Sequence, residues 1–175
     1  MIAAAGNDGD QDNVSFPACL RKVFAIANTY DAAAGSTSWC TTTSCSAYCT
    51  DSSPAVDTLN CSSNGGDLIE LAAPGTTITA GGQSMSGTSQ ASPHVAGAVA
   101  LLKEAVPGAG PKEMEDWLLR SDTIVTDARG TTTYEYPRLE LETVFEGTVD
   151  DLKITDVDLE TTGGLFAGTV ATLAV

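Results

Sequence analysis

A serine hydroxyl placed where a helix begins can attack a carbonyl, and residues 86 to 97, Ser-Gly-Thr-Ser-Gln-Ala-Ser-Pro-His-Val-Ala-Gly, put Ser89 in that setting. The first-turn N–H groups of a helix lack intrahelical partners and the positive end of its dipole lies there, which favours negative charge growing on an attacked oxygen. Near the start of the chain, Ile2-Ala3-Ala4-Ala5-Gly6-Asn7-Asp8-Gly9 reads as a small-residue strand that stops at a Gly-Asn turn. The turn presents the Asn7 amide at a strand end rather than burying it. A serine nucleophile placed at a helix start suits acyl transfer.

The run Gly87-Thr88-Ser89-Gln90-Ala91-Ser92-Pro93-His94-Val95-Ala96-Gly97 closely resembles the nucleophile motif of the subtilisin-like serine proteases, the subtilases, with Gln90 where methionine is common. Ala4-Ala5-Gly6-Asn7 resembles that family's oxyanion segment, and Leu71-Ala72-Ala73-Pro74-Gly75 lies between the two, similar to its Ala-Pro-Gly turn. The resemblance covers residues 1 to 147. It implies an α/β, three-layer fold, a mostly parallel sheet flanked by helices, present here in incomplete form. It further implies Ser89 as nucleophile, Asn7 and the Ser89 backbone N–H as the oxyanion hole, and Gly6 and Asp8 beside the substrate, where the Asp8 carboxylate favours basic P1 side chains. Substrates are then polypeptides, the chemistry needs no cofactor, and the family resemblance leaves room for structural calcium.

A serine hydroxyl is a weak nucleophile until a base takes its proton. His94 is the one histidine of the chain; five residues along the same helix it is displaced by about 7.5 Å and rotated by about 140° from Ser89, which marks it as structural. The family's Asp-[Ser/Thr]-Gly and His-Gly-Thr-His segments do not occur in these residues. The expectation is a C-terminal half of a catalytic domain, whose missing N-terminal half supplies the aspartate and histidine. Losing such a base and its orienter costs on the order of a millionfold in turnover in this family, so the chain alone is expected to be inactive. The alternatives are a non-catalytic pseudoprotease or binding module, and one half of a split protease.

The five cysteines, Cys19, Cys40, Cys45, Cys49 and Cys61, point to an oxidising, extracellular setting and a disulfide-stapled loop, with one thiol left over. Zinc on Cys40, Cys45, Cys49 and Cys61 is the alternative, weakened by a spacing that lacks Cys-x2-Cys. No signal peptide opens the chain, an absence attributed to truncation, and no apolar run is long enough to span a membrane. The net charge of -15 argues against nucleic-acid binding.

Positioning elements are legible around these motifs. Val23 to Asn28 reads as a buried strand, Asp67 to Leu71 as another, and residues 31 to 66 as a Gly/Ser/Thr/Cys-rich excursion between them. A helix from about Ser89 to Glu104 is expected to be buried nearly all round, and a second, amphipathic helix starts at Pro111. Tyr136 to Leu141 resembles the closing segment of the family domain. Residues 148 to 175 read as an acidic β-prone tail or the start of an appended β-rich domain, with a strand over 152 to 159. The alternating carboxylates Asp8, Asp10 and Asp12 suit an oxygen-ligated cation such as calcium, although a solvated acidic turn explains them as well. Gln90 removes an oxidisable thioether beside the nucleophile, which predicts activity that survives peroxide.

Overall fold

The computed structural model describes residues 1–146, 157–159 and 169–171. In chain order the elements are β1 (Ile2–Ala4), β2 (Phe24–Thr29), β3 (Thr37–Cys40), β4 (Tyr48–Asp51), β5 (Ile69–Pro74), β6 (Ile78–Ala80), β7 (Gln83–Met85), α1 (Thr88–Ala105), α2 (Pro111–Leu118), β8 (Ile124–Asp127), β9 (Tyr134–Pro137), α3 (Leu141–Glu146), β10 (Val157–Leu159) and β11 (Thr169–Ala171). Strands β1, β2 and β5 form a parallel sheet in the order β1-β2-β5. All six residues of β2 are buried, as expected for a central parallel strand covered on both faces.

The two faces of that sheet carry different cores. Phe24, Ile26, Leu71 and Ala73 pack against α1, α2 and α3 through Val95, Leu102, Met114, Leu118 and Val144. Ala25, Ala27 and Ala72 face the opposite side, where Val125 and Tyr136 of the β8–β9 hairpin and Ala18 of the β1–β2 connection cover them. Among the described residues helices therefore flank one face only. The alternation breaks at Glu70, because Ala25 pairs with Ile69 and the next residue, Ile26, with Leu71. The bulge turns Ile69 to the face opposite Leu71 and leaves the Ala25 N–H to donate to the Glu70 side chain, at 2.6 Å from Oε2.

Helix α1 corrects one expectation. Its buried residues are Thr88, Ala91, Val95, Ala98 and Leu102, a single stripe at helical spacing, whereas Ser89, Pro93, His94, Ala96, Gly97 and Ala100 are exposed. Small apolar composition allows burial on any face; the tertiary partners decide which face receives it. Helix α2 starts at Pro111 as expected, with the Glu113 carboxylate accepting from the Gly110 N–H at 3.0 Å. The segment after β9 returns to the sheet through the Leu139 N–H and the Ala72 carbonyl, 2.8 Å apart.

The excursion folds as the antiparallel β3–β4 hairpin. Its cysteines pair as Cys40–Cys45 and Cys49–Cys61, so the four sulfurs weighed as zinc ligands are engaged with one another, and Cys19 is free and exposed. No helix of the described residues is long and apolar enough to cross a membrane. Of the strand expected over 152 to 159, Val157–Leu159 is described and pairs antiparallel with Thr169–Ala171; the rest of the acidic tail lies outside the described residues.

Candidate active site

Residue Thr88 is the joint of the site. Fully buried at the first position of α1, it offers its hydroxyl to the Gly6 N–H at 3.1 Å and its own N–H to Asn7 Oδ1 at 2.9 Å. The hydroxyl is also within 3.2 Å of Asn7 Oδ1. A backbone N–H can only donate, so the oxygen of the Asn7 amide must face it. That fixes the amide's orientation and leaves Nδ2 pointing away from Thr88. Among the described residues, neither Asn7 Nδ2 nor the Ser89 backbone N–H has a hydrogen-bond partner. Two unengaged donors and an exposed serine thus stand together at the start of α1.

Two glycines make this approach possible. At Gly87 φ is 144°, and a Cβ there would meet Asn7 Oδ1 at 3.1 Å and Nδ2 at 3.3 Å; the conformation is one that essentially only glycine adopts. At Gly6 φ is 111°, and a Cβ would collide with Ser15 Oγ at 2.3 Å and Asn64 Nδ2 at 2.5 Å. The Ala-Pro-Gly turn seen in the sequence contributes directly, because the Gly75 carbonyl accepts from the Gly87 N–H at 2.9 Å. Ser86 is structural, accepting from the Thr77 N–H at 2.7 Å.

The loop after Asn7 hangs on Asn64, which sequence reasoning left inside the excursion. Asn64 Oδ1 accepts from the N–H groups of Asp8 and Asp10 at 2.9 and 3.2 Å, its Nδ2 donates to Asp8 Oδ2 at 3.2 Å, and its N–H donates to the Gly6 carbonyl at 3.0 Å. The Arg129 guanidinium holds the same segment, donating to the Cys61 and Ser63 carbonyls at 2.6 and 2.8 Å while paired with the buried Asp127. The only signal in the sequence was the Asn64-Gly65-Gly66 turn, which has no intrinsic meaning without its partners.

The three calcium candidates do not converge. Asp8 Oδ2 accepts from Ser15 and Asn64, Asp10 Oδ1 accepts from the Asp12 and Asn13 N–H groups at 3.0 and 3.1 Å, and Asp12 Oδ1 accepts from Tyr134. Among the described residues no three His, Cys, Asp or Glu side chains are grouped to hold a metal. His94 is exposed on α1 with Nδ1 2.8 Å from the Gln90 carbonyl oxygen, away from Ser89 along the helix. Gln90 itself reaches back, its Nε2 4.0 Å from the sulfur of Met85.

The family model of the subtilases matches residues 1–150. The chain belongs to the subtilase family. Relatives include a halolysin-like extracellular serine protease of Natrialba magadii, 32% identical over 147 residues that make up 81% of this chain and 22% of the relative. Another is the minor extracellular protease Epr of Bacillus subtilis, 33% identical over 112 residues, 61% of this chain and 14% of the relative. Among solved structures, a cold-adapted subtilisin-like serine proteinase superposes with a TM-score of 0.53 at 28% identity, over 78% of this chain and 44% of that one. A protease of Pseudoalteromonas arctica shares the fold with a TM-score of 0.56 at 23% identity, over 83% of this chain and 42% of that one. This subtilase chain thus spans 14–22% of the length of those curated relatives and less than half of those solved chains.

Proposed function

We propose that this chain contributes the nucleophile and the oxyanion hole of a serine endopeptidase. Ser89 Oγ attacks the scissile carbonyl carbon, and the negative charge that grows on its oxygen is received by Asn7 Nδ2 and the Ser89 N–H. The observation that carries the reading is the anchoring of Asn7 Oδ1 by the Thr88 N–H at 2.9 Å: it commits one end of the amide and frees the other as a preorganised donor, the arrangement that stabilises a transition state most.

The base for Ser89 has to reach it from outside these residues, since the one histidine lies along α1 against the Gln90 carbonyl. An N-terminal half of the domain carrying an aspartate and a histidine fits that need, and the chain by itself is expected to be inert. Polypeptides are the substrates. Gly6 and Asp8 lie where a P1 side chain would pass, although the Asp8 carboxylate already accepts from Ser15 and Asn64. The relatives named as extracellular proteases and the two disulfides favour secretion. Structural calcium, if bound, needs ligands beyond Asp8, Asp10 and Asp12 as they stand. Residues 148 to 175 are, in this reading, an acidic β-prone tail or the start of an appended domain.

Fluorophosphonate labelling and casein cleavage test this, measured on the chain by itself and on the product of a reading frame that includes any upstream coding sequence, with Ser89→Ala as control. Labelling and cleavage in the longer product, lost in Ser89→Ala, are expected. An upstream sequence without aspartate and histidine, and no labelling of either form, would replace this reading by that of a pseudoprotease.

A further inference from the structure

Two Asn-x-Ser triplets occur in the chain, Asn13-Val14-Ser15 and Asn60-Cys61-Ser62, and the fold treats them in opposite ways. This triplet, with any residue but proline in the middle, is the acceptor pattern for an N-linked glycan, and the modified side chain must lie where a bulky sugar can project into solvent. Asn60 has no such room. It is fully buried, its Nδ2 donates to Thr76 Oγ1 at 3.2 Å, and its Oδ1 accepts from the Ser62 N–H and Oγ at 2.9 and 2.7 Å. Its own N–H donates to the Asn28 carbonyl at 2.9 Å, and the Cys61 in the middle of the triplet is tied to Cys49. A sugar on Asn60 would break the network beneath the strand ends.

Asn13 is exposed, in the loop between Asn7 and β2. Its Nδ2 donates only to the Asp10 carboxylate, 3.3 Å from Oδ1 and 3.2 Å from Oδ2. The single N–H left after glycosylation can keep that bond. Val14, next in the chain, is half-buried against the alanine face of the sheet, and the Ser15 N–H donates to the Ala5 carbonyl at 2.7 Å. The backbone after Asn13 is therefore pinned while the acceptor side chain, bonded to an exposed carboxylate, stays open to solvent.

We propose that Asn13 is an N-glycosylation site and that Asn60 is not. The reaction joins Asn13 Nδ2 to the anomeric carbon of a lipid-linked oligosaccharide phosphate. The carbon–oxygen bond to the phosphate breaks, the lipid phosphate departs with the electron pair, and Nδ2 gives up one proton. The Ser15 hydroxyl completes the triplet that the transferring enzyme reads. The proposal rests on the secreted reading above, because the triplet is modified in secreted chains.

Peptide mapping by mass spectrometry of the protein from its producing cells, medium and cell fractions kept apart, tests it. The secreted protein is expected to carry a sugar mass on the Asn13 peptide and none on the Asn60 peptide. The sugar mass should vanish in Asn13→Gln and Ser15→Ala and persist in Ser15→Thr, which keeps the triplet. Unmodified Asn13 in secreted protein, or a sugar on Asn60, overturns the site assignment and leaves secretion intact. Unmodified Asn13 in protein found only inside the cell overturns both.

Discussion

The Thr88 N–H donates to Asn7 Oδ1 across 2.9 Å, joining residues 81 positions apart in the chain. With the bond from the Gly6 N–H to the Thr88 hydroxyl, it ties the turn after β1 to the first residue of α1, so Asn7 and Ser89 hold a common frame.

Replacing Asn7 by alanine is expected to lower kcat about 10²–10³-fold with little change in KM, the loss known for the corresponding donor of subtilisin. Steady-state kinetics on the complete protease measure it. An equal rise in KM with kcat unchanged would assign Asn7 to ground-state binding.

The Thr88 hydroxyl accepts from the Gly6 N–H at 3.1 Å in a buried setting. Thr88→Val keeps the shape and orphans that N–H, for an expected loss of about 1–3 kcal/mol in stability together with a fall in kcat. Thr88→Ser should recover both. A Thr88→Val enzyme with wild-type kcat would show that the clamp does not position Asn7.

Gly87→Ala forces a side chain into φ 144° and against the Asn7 amide. The strain is expected to be of order 1–3 kcal/mol, read as a lower midpoint in denaturant, with kcat falling further than in a variant of equal instability elsewhere. Matching kcat values at matched stability would remove any special role for the contact.

These sites differ in how far the sequence announces them. Ser89 and Asn7 are legible because each sits in a local run whose neighbours encode its geometry: a glycine that permits the turn, small residues that permit close approach. The anchor Asn64, the Glu70 bulge and the Asp127–Arg129 support are not, because each acquires its role from a partner tens of residues away and has an ordinary neighbourhood of its own. The parallel strands at Phe24–Thr29 and Ile69–Pro74 followed from apolar runs. The exposed face of α1 did not follow, because alanine and glycine suit solvent and core alike. The pairing Cys49 with Cys61 had no signal in spacing.

Glu70 carries a pH dependence. Burial raises its carboxyl above the ordinary value, nearby Glu115 adds to the rise, and the bond from the Ala25 N–H opposes it. A carboxyl with a raised folded pKa contributes stability that is complete below the unfolded value and declines as pH rises through the folded one. Glu70→Gln, whose amide oxygen can still accept from Ala25, should therefore gain stability relative to the wild type as pH climbs from 4 to 7. Denaturant midpoints across that range test the sign; a difference independent of pH would discount the burial.

Peroxide provides a separate test. Gln90 cannot form a sulfoxide, whereas Met85 is 58% exposed and lies against it. Mass spectrometry after mild peroxide is expected to find Met85 oxidised while the protease keeps its activity. Loss of activity at the same dose would show that the thioether four residues before Ser89 governs the site after all.

The cross-link Cys49–Cys61 ends three residues before Asn64, the side chain from which the Asn7 loop hangs. Closing a loop of 12 residues is worth about 3 kcal/mol of chain entropy, and here that constraint falls on the support of the loop after Asn7. Thiols in a buffer would therefore reach this machinery from behind. The first casualty of reduction is the hold on the loop after Asn7, while the Asn7 amide, bound to the Thr88 N–H, and Ser89 stay with α1.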